Sequence, residues 1–281
     1  MKHAYLIQAH CNAEQLGRLL NLLDDPRNDV YLHLDAKWKI DPAAFSCARA
    51  GLHIVPRISV NWGGPSQIWS ELILLREAVK TPHDYYHLLS GMDLPIKTQD
   101  EVDAFFEAGT GKEYLEFWEM NPHNLSRMLY SPLCEHGAKW WGNLVNNIFK
   151  GVQMAFGIKR NRSVKFYRGA NWFSITHGFA EYVVSREDWV RRVFSHTCCC
   201  DEVFLQTLLM CSPFAGAAAG TNLRFIDWER RESTRHPHIF RSDDFPLLLS
   251  RPELFARKFD ARLDSAVIAL VCDAAGQKAR P

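Results

Sequence analysis

Long apolar runs are missing from this 281-residue chain. The best of them, SAVIALVC from Ser265 to Cys272, falls far short of the roughly 18 residues that a membrane-spanning helix needs. The opening MKHAYLIQAH has one Lys and then an apolar run broken by Gln8 and His10, so the long apolar region and cleavage site of a signal peptide are absent. There is no surplus of charge either. Lys plus Arg number 33 against 32 Asp plus Glu, which gives no overall field to attract nucleic acid or an anionic membrane as the main partner. Repeats, low-complexity tracts and obvious linkers are also lacking. These absences predict a soluble, cytoplasmic protein with no transmembrane segment and no nucleic-acid partner, and leave peripheral membrane association open. Eight scattered cysteines without an export signal favour free thiols over a disulfide framework.

Familiar phosphate and nucleophile motifs fail on spacing. GTGK (109–112) has Phe106 where a phosphate loop needs Gly, and Lys112 is followed by Glu113 rather than Ser or Thr. No dinucleotide glycine fingerprint occurs. GPSQI around Ser66 lacks the second Gly of a nucleophile elbow. Nor does Asp-x-Asp occur anywhere, a motif with which many sugar-nucleotide enzymes hold a divalent metal on a diphosphate. Any diphosphate must then be met by side-chain cations, for which Arg235 and the adjacent Arg257 and Lys258 are candidates. Each taken alone reads more simply as solvated basic surface.

What is present is alternation. HAYLIQAH (3–10), DVYLHLD (29–35), LHIVP (52–56), YYHLLSG (85–91) and EYLEFWEM (113–120) read as strands. Between them come helical patterns at 12–24, capped by Asn12, at 65–79, and in TQDEVDAFFEA. This order predicts an α/β fold with a mostly parallel sheet flanked by helices. Ligands bind at the carboxyl ends of such strands, so His10, Asp35 and Asp93 are the first candidates. Beyond residue 120 the spacing predicts helices over 140–157 and 178–194, one or two strands in 164–175, a short helix in DEVFLQTLLM, and a strand over 222–228. One domain, 1–281, is expected, with a nucleotide-binding half to about 120 and an acceptor-binding and catalytic half over about 121–270.

HTCCCDEVFLQTLLM (196–210) sets three cysteines beside two carboxylates. A zinc site usually draws pairs of ligands two to four residues apart, because adjacent side chains diverge. Cys198, Cys199 and Cys200 therefore read as structural thiols. Asp201 and Glu202 precede a helical run, where acids cap free amides and meet the helix dipole. From the residues alone capping is the favoured role. The same placement keeps Glu202 ionised and able to act as a general base.

Seven blocks stand in the order and at about the spacing of one family: AYLIQAH, YLHLDAK, HLLSGMDLPIKT, WFSITHGFAEYVVSRE, DEVFLQT, NLRFIDW and LFARKFD. Over residues 3 to 264 the chain resembles glycosyltransferase family 14, the core-2/I-branching β-1,6-N-acetylglucosaminyltransferases and peptide O-xylosyltransferases. The resemblance implies a GT-A fold and an inverting enzyme that takes a UDP-sugar as co-substrate and uses no metal or other cofactor. Its acceptor would be a glycan or protein hydroxyl, and its donor sugar xylose or N-acetylglucosamine.

Matched to the family's blocks, Glu202 resembles the general base. Lys258 and Arg235, with Arg257 alongside, resemble the cations that meet the departing diphosphate. Gln8, Ala9, His10 and Asp35 resemble uridine-holding positions, and Trp62 an aromatic lying against the nucleotide. Asp93 falls where the sugar-nucleotide pocket is expected, and Asp227 and Trp228 resemble donor contacts of the xylosyltransferase branch. Glu116 and Arg127 match acceptor-contacting positions. Unlike animal members, which carry an anchor, a stem and lumenal disulfides, the chain reads as a catalytic domain alone. The alternative is a non-catalytic nucleotide- or glycan-binding module of the same fold.

Overall fold

The computed structural model describes residues 1–135, 141–231, 233 and 236–276. Its frame is built by β1 (His3–Ala9), α1 (Ala13–Leu22), β2 (Asn28–Leu34), β3 (Gly51–Ile54), α2 (Ser66–Ala78) and β4 (Tyr85–Ser90). These four strands are parallel, with β1 between β2 and β4 and β3 on the edge beside β2. β4 is buried at every position, as expected of a strand covered on both faces. The strand period of two divides β1 between two cores: Ala4 and Leu6 join one, Tyr5, Ile7 and Ala9 the other.

The chain continues through β5 (Asp93–Pro95), α3 (Gln99–Ala108), β6 (Glu113–Glu116), α4 (Pro122–Leu129), α5 (Gly142–Ala155), β7 (Phe173–Thr176), α6 (His177–Ser185), α7 (Glu187–Phe194) and α8 (Phe204–Met210). It closes with β8 (Ala218–Gly220), β9 (Arg224–Ile226), α9 (Phe245–Ser250), β10 (Phe255–Arg257) and α10 (Ser265–Ala275). The main sheet has the order β3-β2-β1-β4-β7-β6-β8, and β5-β10-β9 form a second, small sheet. β7 runs antiparallel to both neighbours, β4 and β6, while the rest of the main sheet is parallel. The protein is thus an α/β structure with a mostly parallel sheet flanked by helices. α2, α6, α7 and α8 pack on one face and α1, α3, α9 and α10 on the other.

The two halves expected from the sequence share these sheets, since β7 pairs with β4 and β10 with β5. A buried guanidinium fastens the small sheet to the large one. Arg224 donates to the carbonyls of Phe173 (2.6 Å) and Leu88 (3.1 Å) and to Ser174 Oγ (2.7 Å), and lies 4.8 Å over the Phe255 ring. Burial pulls its pKa down to about 9, the desolvation cost of a charge that no nearby carboxylate fully offsets.

Three boundaries differ from the sequence expectation. Residues 178–194 form two helices, because Arg186 ends α6 and begins α7. Of 164–175 only the last three residues enter a strand, and the preceding stretch crosses irregularly beside the site described below. α8 starts at Phe204 with Val203 as its cap residue and no side-chain cap bond. Asp201 and Glu202 therefore precede the helix and do not cap it, in contrast to Asn12, whose side chain does accept the Gln15 amide at the start of α1. Among the described residues no helix is long and apolar enough to cross a membrane.

Candidate active site

A cavity of about 590 Å³ opens at the carboxyl ends of β1, β2 and β4, within the usual size range of a small-ligand site. Gln8, Ala9 and His10 at the end of β1, and Asp35 just after β2, line it. Gln8 Nε2 donates to Ser70 Oγ of α2 at 2.7 Å. Asp35 is nearly buried; its amide donates to the Ala9 carbonyl at 2.8 Å, and its Oδ1 accepts the Lys37 amide at 2.8 Å. His33 also lines the cavity, and its Nε2 accepts the Ile58 amide at 3.1 Å, which places the ring proton on Nδ1. Burial drives its pKa down to about 4. Burial also lowers the His10 pKa, helped by the charges of Lys258 and Arg257. Trp62 stands on the rim, 56% exposed, on a loop fastened by the Cys199 amide donating to the Gly63 carbonyl at 2.8 Å.

Glu202 lines the same cavity as Arg257. Arg168 donates to Glu202 Oε2 from Nε (3.1 Å) and from Nη2 (2.6 Å). Its guanidinium is fixed in turn 4.7 Å over the Trp118 ring, and Trp118 Nε1 donates to Glu116 Oε1 at 2.8 Å. Asn222 Nδ2 donates to Glu116 Oε2 at 2.9 Å. Glu116 is therefore a buttress behind Trp118, which is the residue of this pair that faces the cavity. The crossing is tight at Gly169, whose amide donates to the Glu202 carbonyl at 2.9 Å. A Cβ there would lie 1.7 Å from the Glu116 carbonyl oxygen, so only glycine fits.

Asp201 lines the cavity beside Glu202, and Glu71 of α2 lies near Asp201. Asp201 accepts from Gln67 Nε2 at 3.0 Å, and burial, then the charge of Glu202, push its pKa up to about 7. Glu71 is wholly buried, and among the described residues no group completes a well-formed hydrogen bond to either carboxyl oxygen. Burial raises its pKa well above the ordinary carboxylate range; Asp201 adds to the rise and the Asn171 amide opposes it. Gln67, Ser70 and Glu71 are spaced three and four residues apart on α2, so one helix face carries all three toward the site.

The cationic wall comes from the small sheet. β5–β10 pairing puts Arg257 directly across from Asp93, and Arg257 Nη1 donates to Asp93 Oδ1 and to Ser90 Oγ, both at 2.5 Å. The guanidinium lies 4.4 Å over the Trp172 ring, and both Arg257 and Trp172 line the cavity. Asp93 does not line it. It is fully buried behind Arg257 and also accepts from the Ser90 amide at 2.7 Å, so its place is that of a counter-ion, a correction to its expected position in the pocket itself. Trp228 is on the wall, 39% exposed. Asp227 lies behind it, accepting the amides of Glu229 and Arg230 at 3.0 Å and Arg230 Nε at 2.6 Å. It shapes the turn that presents Trp228.

The other sequence candidates divide. Lys258 is half-buried beside the cavity without forming its lining; burial and the neighbouring Arg257 charge lower its pKa. Arg127, on α4, lies off the cavity wall, and its Nη2 is 3.1 Å from His123 Nε2. Arg235 lies outside the described residues. Cys200 is a core residue, and the Cys198 and Cys199 sulfurs are 3.7 Å apart as free thiols. Among the described residues no three His, Cys, Asp or Glu side chains converge as a metal-holding group.

Sequence reasoning missed Arg168, Trp118, Asn171, Trp172 and Glu71. Trp172 opened one of the seven blocks, and Glu71 had a visible signal: an acid between Ile68 and Leu72 on the apolar side of an amphipathic helix. Arg168 had none, because only the crossing of two remote segments brings it to Glu202.

Residues 3–249 match the family model described as Core-2/I-Branching enzyme. Xylosyltransferase 2 of Rattus norvegicus is 25% identical over a 300-residue alignment that covers 95% of this chain and 33% of that protein. Xylosyltransferase 1 of Canis lupus familiaris is 25% identical over 299 residues, 94% of this chain and 30% of that protein. The chain thus spans about a third of the length of the curated relatives it matches. Among solved structures, mannose-1-phosphate geranyltransferase from Thermus thermophilus aligns over 78% of this chain and 68% of its own at 13% identity, with a TM-score of 0.29, too low to bear on the fold. Matched across most of its length by that family model, with the matching blocks gathered around one cavity, the chain belongs to the core-2/I-branching enzyme family.

Proposed function

We propose that the protein is a glycosyltransferase of the GT-A type that moves xylose or N-acetylglucosamine from a UDP-sugar to an acceptor hydroxyl, with inversion and without a metal ion. The observation that carries this reading is the sharing of one cavity by the Glu202 carboxylate and the Arg257 guanidinium, a base and a phosphate-binding cation within one ligand-sized space. Glu202 takes the proton of the acceptor hydroxyl as that oxygen attacks the anomeric carbon. The bond from that carbon to the diphosphate oxygen breaks on the other side, and UDP leaves with the bonding electrons. Arg257 meets the charge developing on the diphosphate, with Lys258 beside it and Arg235 as the third expected cation. Gln8, His10 and Asp35 line the strand-end region where the uridine would lie, with Trp62 on the rim to cover it. The missing Asp-x-Asp supports a site in which side-chain cations replace a metal.

The test is UDP binding by calorimetry together with UDP release from UDP-xylose and UDP-N-acetylglucosamine, each with EDTA present. Release with one donor establishes the reaction and selects the sugar. Neither binding nor release across both donors and a broad acceptor panel would overturn the proposal, and tight UDP binding without release from any donor would favour the non-catalytic binding module.

A further inference from the structure

α5 is built the wrong way round for a helix of a protein core. Its buried residues are Gly142 and Gln153, and polar groups hold it to the body. Gln153 accepts the Ser131 amide at 3.0 Å and donates to the Ser131 carbonyl at 2.9 Å. Asn146 accepts the amides of Leu133 and Cys134 and donates to the Cys134 carbonyl at 2.9 Å, and Lys150 Nζ donates to Ser126 Oγ at 2.7 Å. The apolar side faces out. Leu144 is 65% exposed and Ile148 62%, with Val152 a further turn along and Phe156, 76% exposed, at the helix end. This four-residue spacing draws a single stripe along the helix, and none of the four joins either core. Ile158 and Leu133 widen the exposed area.

Charge along this segment is one-sided. The whole chain is balanced, 33 against 32, yet no Asp or Glu occurs between Glu135 and Glu181. Within that span Lys159, Arg162 and Lys165 are exposed just beyond the end of α5. Arg162 Nη2 donates to the Gly157 carbonyl at 2.6 Å and Lys165 lies over the Tyr167 ring, both remaining exposed. Arg160, in contrast, is half-buried, donating to the carbonyls of His196 and Arg192, and Arg168 holds Glu202. A second copy of the chain would set these cations against their own kind, whereas an anionic lipid surface receives both features at once. An exposed apolar stripe beside Lys and Arg, with no acid in the segment, is the pattern of a helix lying in the headgroup plane.

We propose that the Leu144–Ile148–Val152–Phe156 face of α5, with Lys159, Arg162 and Lys165, docks the protein peripherally on an anionic lipid surface. The apolar side chains enter the boundary between headgroups and acyl chains, and the three cations lie against the phosphates. This does not depend on the proposed reaction, since none of these residues lines the cavity.

The experiment is co-sedimentation of the full chain with phosphatidylcholine vesicles, with and without phosphatidylserine, at low and high salt. Binding is expected only with phosphatidylserine and should weaken as salt screens the charges. Leu144→Asp/Phe156→Asp, at sites whose exposure spares the core, should reduce binding by at least about tenfold. Lys159→Glu/Arg162→Glu/Lys165→Glu should abolish the preference for phosphatidylserine. Circular dichroism and UDP binding should match the wild type in both variants. No difference between the two vesicle types, or retention of binding by the Leu144/Phe156 variant, would overturn the proposal. So would a concentration-dependent dimer, broken by that variant, in a protein that ignores vesicles; the face would then belong to a second copy.

Discussion

Arg168 places both of its hydrogen bonds to Glu202 on a single oxygen, Oε2, at 3.1 and 2.6 Å. The guanidinium fixes the carboxylate's orientation without occupying Oε1. Trp118 beneath the guanidinium and Glu116 behind Trp118 make this arrangement rigid.

If Glu202 is the base, Glu202→Gln should lower kcat by about 10²–10⁴-fold while UDP affinity is unchanged. Arg168→Ala should lower kcat by about tenfold or more, because a loosely held base loses its alignment. Arg168→Lys should recover part of this and not all, since an ammonium keeps the charge but lacks the planar fork. Steady-state kinetics with calorimetry on the same preparations separates the two effects. Loss of UDP affinity in Glu202→Gln would contradict the assignment.

Asp93 and Arg257 should be separable by stability and binding. Removing the fully buried Asp93 leaves its partner charge uncompensated, so Asp93→Ala should cost about 3–5 kcal/mol and lower the Tm. UDP affinity should fall as well, because Arg257 loses its alignment. Trp228→Ala, at a residue 39% exposed on the wall, should weaken donor binding with little change in Tm.

Asp201 and Glu71 predict a pH dependence with a definite sign. Asp201 has a pKa raised from 3.8 to about 7 by burial and by Glu202, so between these values the folded state holds a proton that the unfolded chain has released. Its contribution to stability is complete below about pH 4 and is lost as pH rises to about 7. His33, lowered to about 4, acts oppositely: its contribution is lost as pH falls below the ordinary histidine value. Denaturant melts of the wild type and Asp201→Asn cancel the histidine effect. Wild-type stability relative to the variant should decline across that interval and level off above it; a constant difference would contradict the raised pKa. Glu71→Gln should show the same direction.

Metal dependence is checked directly. Turnover of the preferred UDP-sugar should persist after EDTA treatment and gain nothing from added Mg²⁺ or Mn²⁺; loss in EDTA with recovery on adding metal would show that side-chain cations are not sufficient.

The alternation of strands and helices, and with it the α/β class, was legible because buried parallel strands are short apolar runs and their helices repeat every three to four residues. The edges of elements were less so. Arg186 divides 178–194 into two helices without any Pro or Gly to mark the break. The capping role expected of Asp201 and Glu202 failed because α8 starts two residues later than the acids suggest, a shift that depends on where the preceding turn packs.

The sequence by itself determined the alternation of strands and helices over the first 120 residues, the strand ends that bring Gln8, His10 and Asp35 together, and the Asp-Glu pair that contains Glu202. Those depend on local periodicity and on ordered blocks of neighbouring residues. Only the tertiary structure decided that Asp93 sits behind Arg257, that Arg168 holds Glu202, and that α5 turns its apolar face outward. Each follows from contacts between segments remote in the chain: β5 against β10, the 164–172 crossing against the turn before α8, and polar anchors from Ser126 to Cys134 against α5. Hydrophobic spacing shows that a helix has an apolar side. Which way that side points is set by the groups that pin the other one.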